Sequence, residues 1–176
     1  MRTIPTLLLC TAALFAAGEN SGRRAPGFAL PDSKMQIYDL ADYRGKIVLL
    51  EFMQTSCGHC VAFANVLERV QRKYGDKVAI LTVVNSGGDN QNTVAQYISG
   101  HHITYPILFD AGQMAFSYVR STRFDTPHVY LIDANGTIKN DWEYSLLTRD
   151  VFEGDGLMSE IDGLLSGKAI PQNTKK

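Results

Sequence analysis

The sequence predicts an α/β protein: a three-layer sandwich with a mixed central sheet and helices flanking it. Three observations predict this class. The runs Ile47 to Met53 and Val78 to Val84 are almost wholly apolar, as in strands covered on both faces. Segments with apolar residues three or four apart follow those runs and have the helical period. The last two strand-like segments are joined by Asp133-Ala-Asn-Gly136, a hairpin connection that makes neighbours antiparallel.

The chain opens with a leader. Met1-Arg2 precedes an apolar stretch that ends in Ala16, Ala17 and Gly18. A basic start, a run shorter than the about 20 residues of a membrane span and a small-x-small site form a secretory signal cleaved after Gly18. Cleavage leaves a protein secreted across the cytoplasmic membrane, expected in the periplasm; an uncleaved leader would anchor it there, facing outside. Cys10 follows bulky Leu9 where lipid attachment needs a small residue, so it belongs to the apolar leader. Residues 19–25 are polar and aperiodic and are expected to be a flexible tether, with one domain at 26–166 and a polar tail at 167–176.

Within the domain, Phe28-Ala-Leu and Gln36 to Leu40, separated by Pro31-Asp-Ser, read as a short hairpin. The buried strand Ile47 to Met53 leads into a helix from Cys60, whose Phe63, Leu67, Val70 and Tyr74 share a face. Glu68, Arg69, Arg72 and Lys73 point elsewhere, and Gly75 ends the helix. Val78 to Val84 is the second buried strand. Val94, Tyr97 and Ile98 mark a helix, Pro106 to Phe109 a third strand and Gln113 to Val119 another helix. His128 to Ile132 and Thr137 to Trp142 flank Asn135-Gly136, which favours the positive φ angles of a tight turn. Thr148 to Leu165 reads as a helix weakened at its centre by Gly154 and Gly156.

Composition narrows the partners. The leader's one charged residue is Arg2, so the rest of the chain holds 16 Lys and Arg against 18 Asp and Glu, interleaved without a basic stripe. No nucleic acid is expected as a partner, and a membrane only if the leader is kept. No cofactor or resident metal is implied. Zinc needs four ligands, yet the sequence has no second Cys pair, and His101-His102 are adjacent rather than helically spaced.

Cys57-Gly-His-Cys60 holds both cysteines that remain beyond the leader. A structural disulfide framework in an exported protein needs several pairs, whereas one Cys-x-x-Cys opening a helix reads as redox chemistry. Cys57 falls at the helix N-terminus, where unpaired N–H groups and the macrodipole favour an anion, which makes it the attacking thiolate. Cys60, one turn further in, is the resolving thiol. His59 between them favours the thiolate by a hydrogen bond or a charge, or is an exposed spacer. Glu51, six residues before Cys57, is the odd charge in an apolar strand. It lies either at an edge facing water or buried as a proton carrier for Cys60, and the second reading is favoured. Thr126-Pro127 opens a strand, where proline costs no central ladder bond; spacing alone does not show whether the bond is cis.

Four motifs together resemble the thioredoxin superfamily, and within it the TlpA-like and ResA-like envelope thiol-disulfide oxidoreductases. They are Ala25-Pro-Gly-Phe-Ala-Leu-Pro31, Leu40-Ala-Asp-Tyr-Arg-Gly-Lys-Ile-Val-Leu-Leu50, the Cys57 to Cys60 motif and Thr126-Pro-His-Val-Tyr-Leu-Ile-Asp-Ala-Asn-Gly136. The resemblance implies a thioredoxin-like sandwich with an N-terminal hairpin and an inserted helix-strand unit at residues 90–110. It also implies that Pro127 is a cis-proline facing the disulfide, that Thr126 offers backbone hydrogen bonds to a substrate chain, and that Glu51 is the buried acid. Cysteine-containing protein substrates and a redox partner protein follow. Met53 and Ser56 stand where the family usually has tryptophans, His59 replaces the usual Pro, and the approach from Arg120 to Asp125 is longer.

Two other functions compete. A peroxiredoxin-like peroxidase needs a Pro and a Thr or Ser ahead of the reactive Cys, where this chain has Leu50 and Gln54. A copper-binding assembly factor would use Cys57, Cys60 and a distant histidine such as His128, a donor set that suits copper.

Overall fold

The computed structural model describes residues 20–85, 88–121 and 125–167. The leader at 1–18, part of the long approach to Pro127 at 122–124 and the tail beyond Gly167 lie outside the described residues. A hairpin of β1 (Ala29–Pro31) and β2 (Ile37–Asp39) precedes a five-stranded sheet. The sheet comprises β3 (Ile47–Met53), β4 (Val78–Asn85), β5 (Ile107–Asp110), β6 (His128–Ile132) and β7 (Ile138–Glu143), in the order β5-β4-β3-β6-β7. β3, β4 and β5 are parallel, while β6 is antiparallel to both β3 and β7. The helices are α1 (Gly58–Tyr74), α2 (Gln91–His101), α3 (Gln113–Val119), α4 (Arg149–Glu153) and α5 (Asp155–Leu165).

Period-2 alternation along β3 builds the three layers. Leu49 and Met53 face a core closed by α1, α2, α4 and α5, whereas Val48, Leu50 and Phe52 face one closed by α3 and the hairpin. Because both faces are covered, all seven residues of β3 are buried, including Glu51. The result is the expected three-layer sandwich with a mixed sheet, and α2 and β5 occupy the inserted helix-strand unit.

Local chemistry explains the ends of the elements. Gly75 takes φ 54 at the C-cap of α1 and donates its N–H to Gln71. In the β6–β7 connection, Gly136 takes φ 80 and its N–H bonds Asp133, while Asn135 keeps a negative φ, so one residue of the Asn-Gly pair makes the turn.

Two sequence readings change. Residues 20–25 are no flexible tether: they run along β7, with Gly22 N–H donating to Ile138 O (2.8 Å), Ile138 N–H to Arg23 O (2.9 Å) and Ala25 N–H to Gly136 O (2.9 Å). β7 is the last strand of the sheet, and its outward N–H and C=O groups need partners. Glu68 lies off the apolar stripe of α1, as its spacing implies. It is buried, and its carboxylate accepts from Thr104 N–H (2.7 Å) and the Thr104 hydroxyl, tying α1 to the segment before β5. The C-terminal helix is broken into α4 and α5 at Gly154, which takes φ 108.

Candidate active site

The site forms where β3 runs into α1. Gln54 O accepts the Cys57 N–H (3.1 Å) in the turn between them, and Cys57 is the N-cap of α1 in extended conformation. Its Sγ accepts the Cys60 N–H at 3.2 Å, so an unpaired amide of the first turn points at the sulfur. The Cys57 thiol donates to Thr126 O at 3.6 Å, and the Thr126–Pro127 bond is cis. Cys57 is partly exposed and Cys60 fully buried, both as free thiols. Burial, then the Glu51 charge and the Cys57 contact push the Cys60 thiol up from its ordinary value.

Glu51 lies behind this pair on β3. It is 2% exposed and accepts one hydrogen bond among the described residues, from the Thr82 hydroxyl at 3.0 Å, while its Oε1 has no partner among them. Burial pushes its carboxyl up to about 8, with the Thr82 bond pulling the other way. A carboxyl so placed keeps its proton to higher pH than an exposed one, and its charge is felt by the Cys60 thiol.

His59 is exposed, and its ring stacks on Tyr144 with centroids 3.8 Å apart and planes 21° apart. Tyr144 follows β7, and its N–H donates to Pro127 O at 3.2 Å. It therefore ties the Cys-x-x-Cys turn to the proline loop.

The structure thus brings Cys57, Cys60, Glu51, His59, Thr126 and Pro127 to one end of the sheet. It adds four residues that sequence reading passed over: Tyr144, Thr82, Asp89 and Tyr97. Asp89 accepts the Thr55 N–H at 3.3 Å and the Thr55 hydroxyl, two residues before Cys57. The Tyr97 hydroxyl donates to Cys60 O at 3.1 Å. Thr82 carried a signal, since it is the polar exception in an apolar strand as Glu51 is in its own. Asp89, Tyr97 and Tyr144 carried none, because their distances to the motif are set by packing.

Neither competing constellation assembles. Leu50 is buried on the α3 side of the sheet and Gln54 is exposed, so neither sets a hydroxyl beside Cys57. His128 shares its face of β6 with Tyr130, on which it stacks, again the α3 side. Its Nε2 lies 3.1 Å from Asp141 and its Nδ1 3.3 Å from Glu143, so it is engaged across the sheet from the thiols.

The family model described as the AhpC/TSA family matches residues 21–141. Thioredoxin-like protein YneN of Bacillus subtilis is 30% identical over 124 residues, covering 70% of this chain and 71% of that protein. Thiol-disulfide oxidoreductase ResA of Geobacillus kaustophilus is 31% identical over 121 residues, 67% and 66% of the two chains. Among solved structures, the pneumococcal exposed lipoprotein thioredoxin from Streptococcus pneumoniae superposes with a TM-score of 0.64 at 25% identity, covering 79% of this chain and all of that one (100%). A secreted Mycobacterium tuberculosis disulfide oxidoreductase shares the fold, with a TM-score of 0.61 at 19% identity over 74% of this chain and 95% of that one.

Proposed function

Because the chain belongs to the AhpC/TSA family and is a thiol-disulfide oxidoreductase, we propose that it exchanges disulfides with cysteine-containing proteins through a mixed disulfide at Cys57. The observation that carries this reading is the Cys57 sulfur: partly exposed, at a helix N-terminus, with the Cys60 N–H aimed at it and Cys60 buried behind. The Cys57 thiolate attacks one sulfur of a substrate disulfide. A new S–S bond forms, the substrate bond breaks, and the second substrate sulfur leaves as a thiolate. Thr126 and Pro127 offer their backbone to the substrate chain beside Cys57, and His59 stands between the two cysteines to favour the thiolate.

Resolution needs a proton moved. Glu51 takes the proton of Cys60, whose thiolate attacks Cys57 Sγ; the Cys57–Cys60 bond forms, the Cys57–substrate bond breaks and the substrate sulfur leaves as a thiolate. Run in reverse, the same steps oxidise a dithiol substrate, and a redox partner protein resets the pair. We place the protein outside the cytoplasmic membrane, in the periplasm. The leader at 1–18 supports that placement, as do the secreted and surface-exposed relatives. No helix among the described residues is long and apolar enough to cross a membrane.

The test is insulin reduction driven by dithiothreitol. Cys57→Ser is expected to reduce the rate to the uncatalysed level, and full retained activity contradicts the mechanism.

A further inference from the structure

Glu51 and Thr82 are register partners on the parallel strands β3 and β4, and both side chains point into the core layer that holds Cys60. Thr82 is 0% exposed, so its hydroxyl has no access to bulk water, and it donates to Glu51 Oε2 at 3.0 Å. A carboxylate has about four acceptor sites. Among the described residues Oε1 has no hydrogen-bond partner, and the Thr82 bond is the one the carboxyl accepts. Among the described residues, the titratable groups that face Glu51 are Cys60 from α1, Tyr97 from α2 and Tyr105 from the segment before β5. All three are acids, so none offers a cation to hold the carboxylate. On β6 its register partner is Val129, which does not titrate.

We propose that Thr82 is a positioning residue for this reaction: its hydroxyl orients Glu51 and favours the ionised form that accepts the Cys60 proton. A hydroxyl that donates to a carboxylate makes a charge-assisted bond, and the bond weakens when the acid is protonated. The preference therefore falls on the ionised form, and it is the opposing influence to burial in setting how readily Glu51 gives up its proton. The hydroxyl also fixes Oε2 toward β4, which leaves Oε1 as the oxygen free to receive a proton. This inference rests on the reading of Glu51 as the acceptor of the Cys60 proton.

The step to measure is resolution alone. Cys57 is loaded with thionitrobenzoate from Ellman's reagent, and release of the dye by Cys60 is followed from pH 5 to 10 in the wild type, Thr82→Val, Thr82→Ser and Glu51→Gln. Thr82→Val removes the hydroxyl while keeping a β-branched residue of similar shape. Its rate inflection is expected to move up by about one to two pH units, with resolution about tenfold or more slower on the rising limb. Thr82→Ser, which keeps the hydroxyl, is expected to restore the wild-type profile; a merely packing role would not separate Val from Ser in this way. If Thr82→Val follows the wild type while Glu51→Gln departs from it, the assignment of Thr82 is overturned and Glu51 stands. If Glu51→Gln also follows the wild type, the reading of Glu51 falls, and that of Thr82 with it. A shift in Thr82→Val that Thr82→Ser shares also overturns the proposal.

Discussion

Glu51 is buried with one hydrogen bond among the described residues, and its effect on stability has a definite sign. Its ordinary value is 4.5 and its folded value about 8. Below 4.5 both the folded and unfolded chains keep the proton. Between there and about 8 the unfolded chain releases it while the folded chain holds it, so the contribution of Glu51 to stability falls as pH rises, by at most about 1.4 kcal/mol per unit, and levels off above. Glu51→Gln removes this slope. In urea unfolding of the reduced protein, the variant is expected to gain on the wild type from pH 5 to 8, and a gain that shrinks over that window contradicts the burial of the acid. At this scale the sequence was informative where chemistry is local: a lone Cys-x-x-Cys before a helix has few other readings, and a carboxylate in a run such as Ile47 to Met53 is conspicuous. His59 was less legible. Its stacking partner, Tyr144, lies beyond β7, and no pattern near Cys57 points to it.

Elements were legible where a period runs unbroken. The face of α1 formed by Phe63, Leu67, Val70 and Tyr74 is buried as its spacing requires. Glu68 escaped that logic because its partner, Thr104, lies across the inserted unit, and a buried carboxylate with two donors is satisfied where an unpaired one is not. The C-terminal break also needed structure. Two glycines signal weakness, but only the fold shows that Gly154 is pressed against α1. A Cβ there would come within 2.5 Å of Arg69 Nη2 and 2.9 Å of Val66 Cγ1, at a φ of 108 that L side chains rarely adopt. Gly154→Ala is therefore expected to destabilise the protein by about 1–3 kcal/mol in urea unfolding. A neutral effect would show that α4 and α5 are free to shift away from α1. The other end of the site depends on an element contact of the same kind. Asp89, just before α2, holds Thr55 and so ties the inserted unit to the Cys57 turn.

Over the whole molecule, the sheet explains both the site and the one large misreading of order. Strands β3 and β6 pair antiparallel, which sets Thr126-Pro127 at the end of β6 beside the end of β3 and thus beside Cys57. The polar stretch at 20–25 has no period because it is not an independent element. It takes its conformation from β7, where Asn20 also donates its N–H to Asp141 (2.9 Å). Deleting residues 19–25 is expected to expose that edge, with faster hydrogen exchange at the Ile138 amide and a lower urea midpoint. Unchanged exchange would mean the edge does not need this cover. What joins all three scales is a division of labour between two sulfurs, one exposed and capped, one buried beside an acid. The most direct test is mass spectrometry of Cys60→Ser after reaction with a protein disulfide such as that of insulin. A stable adduct on Cys57, released by dithiothreitol, is predicted. Turnover at the wild-type rate with no adduct on Cys57 would contradict the account.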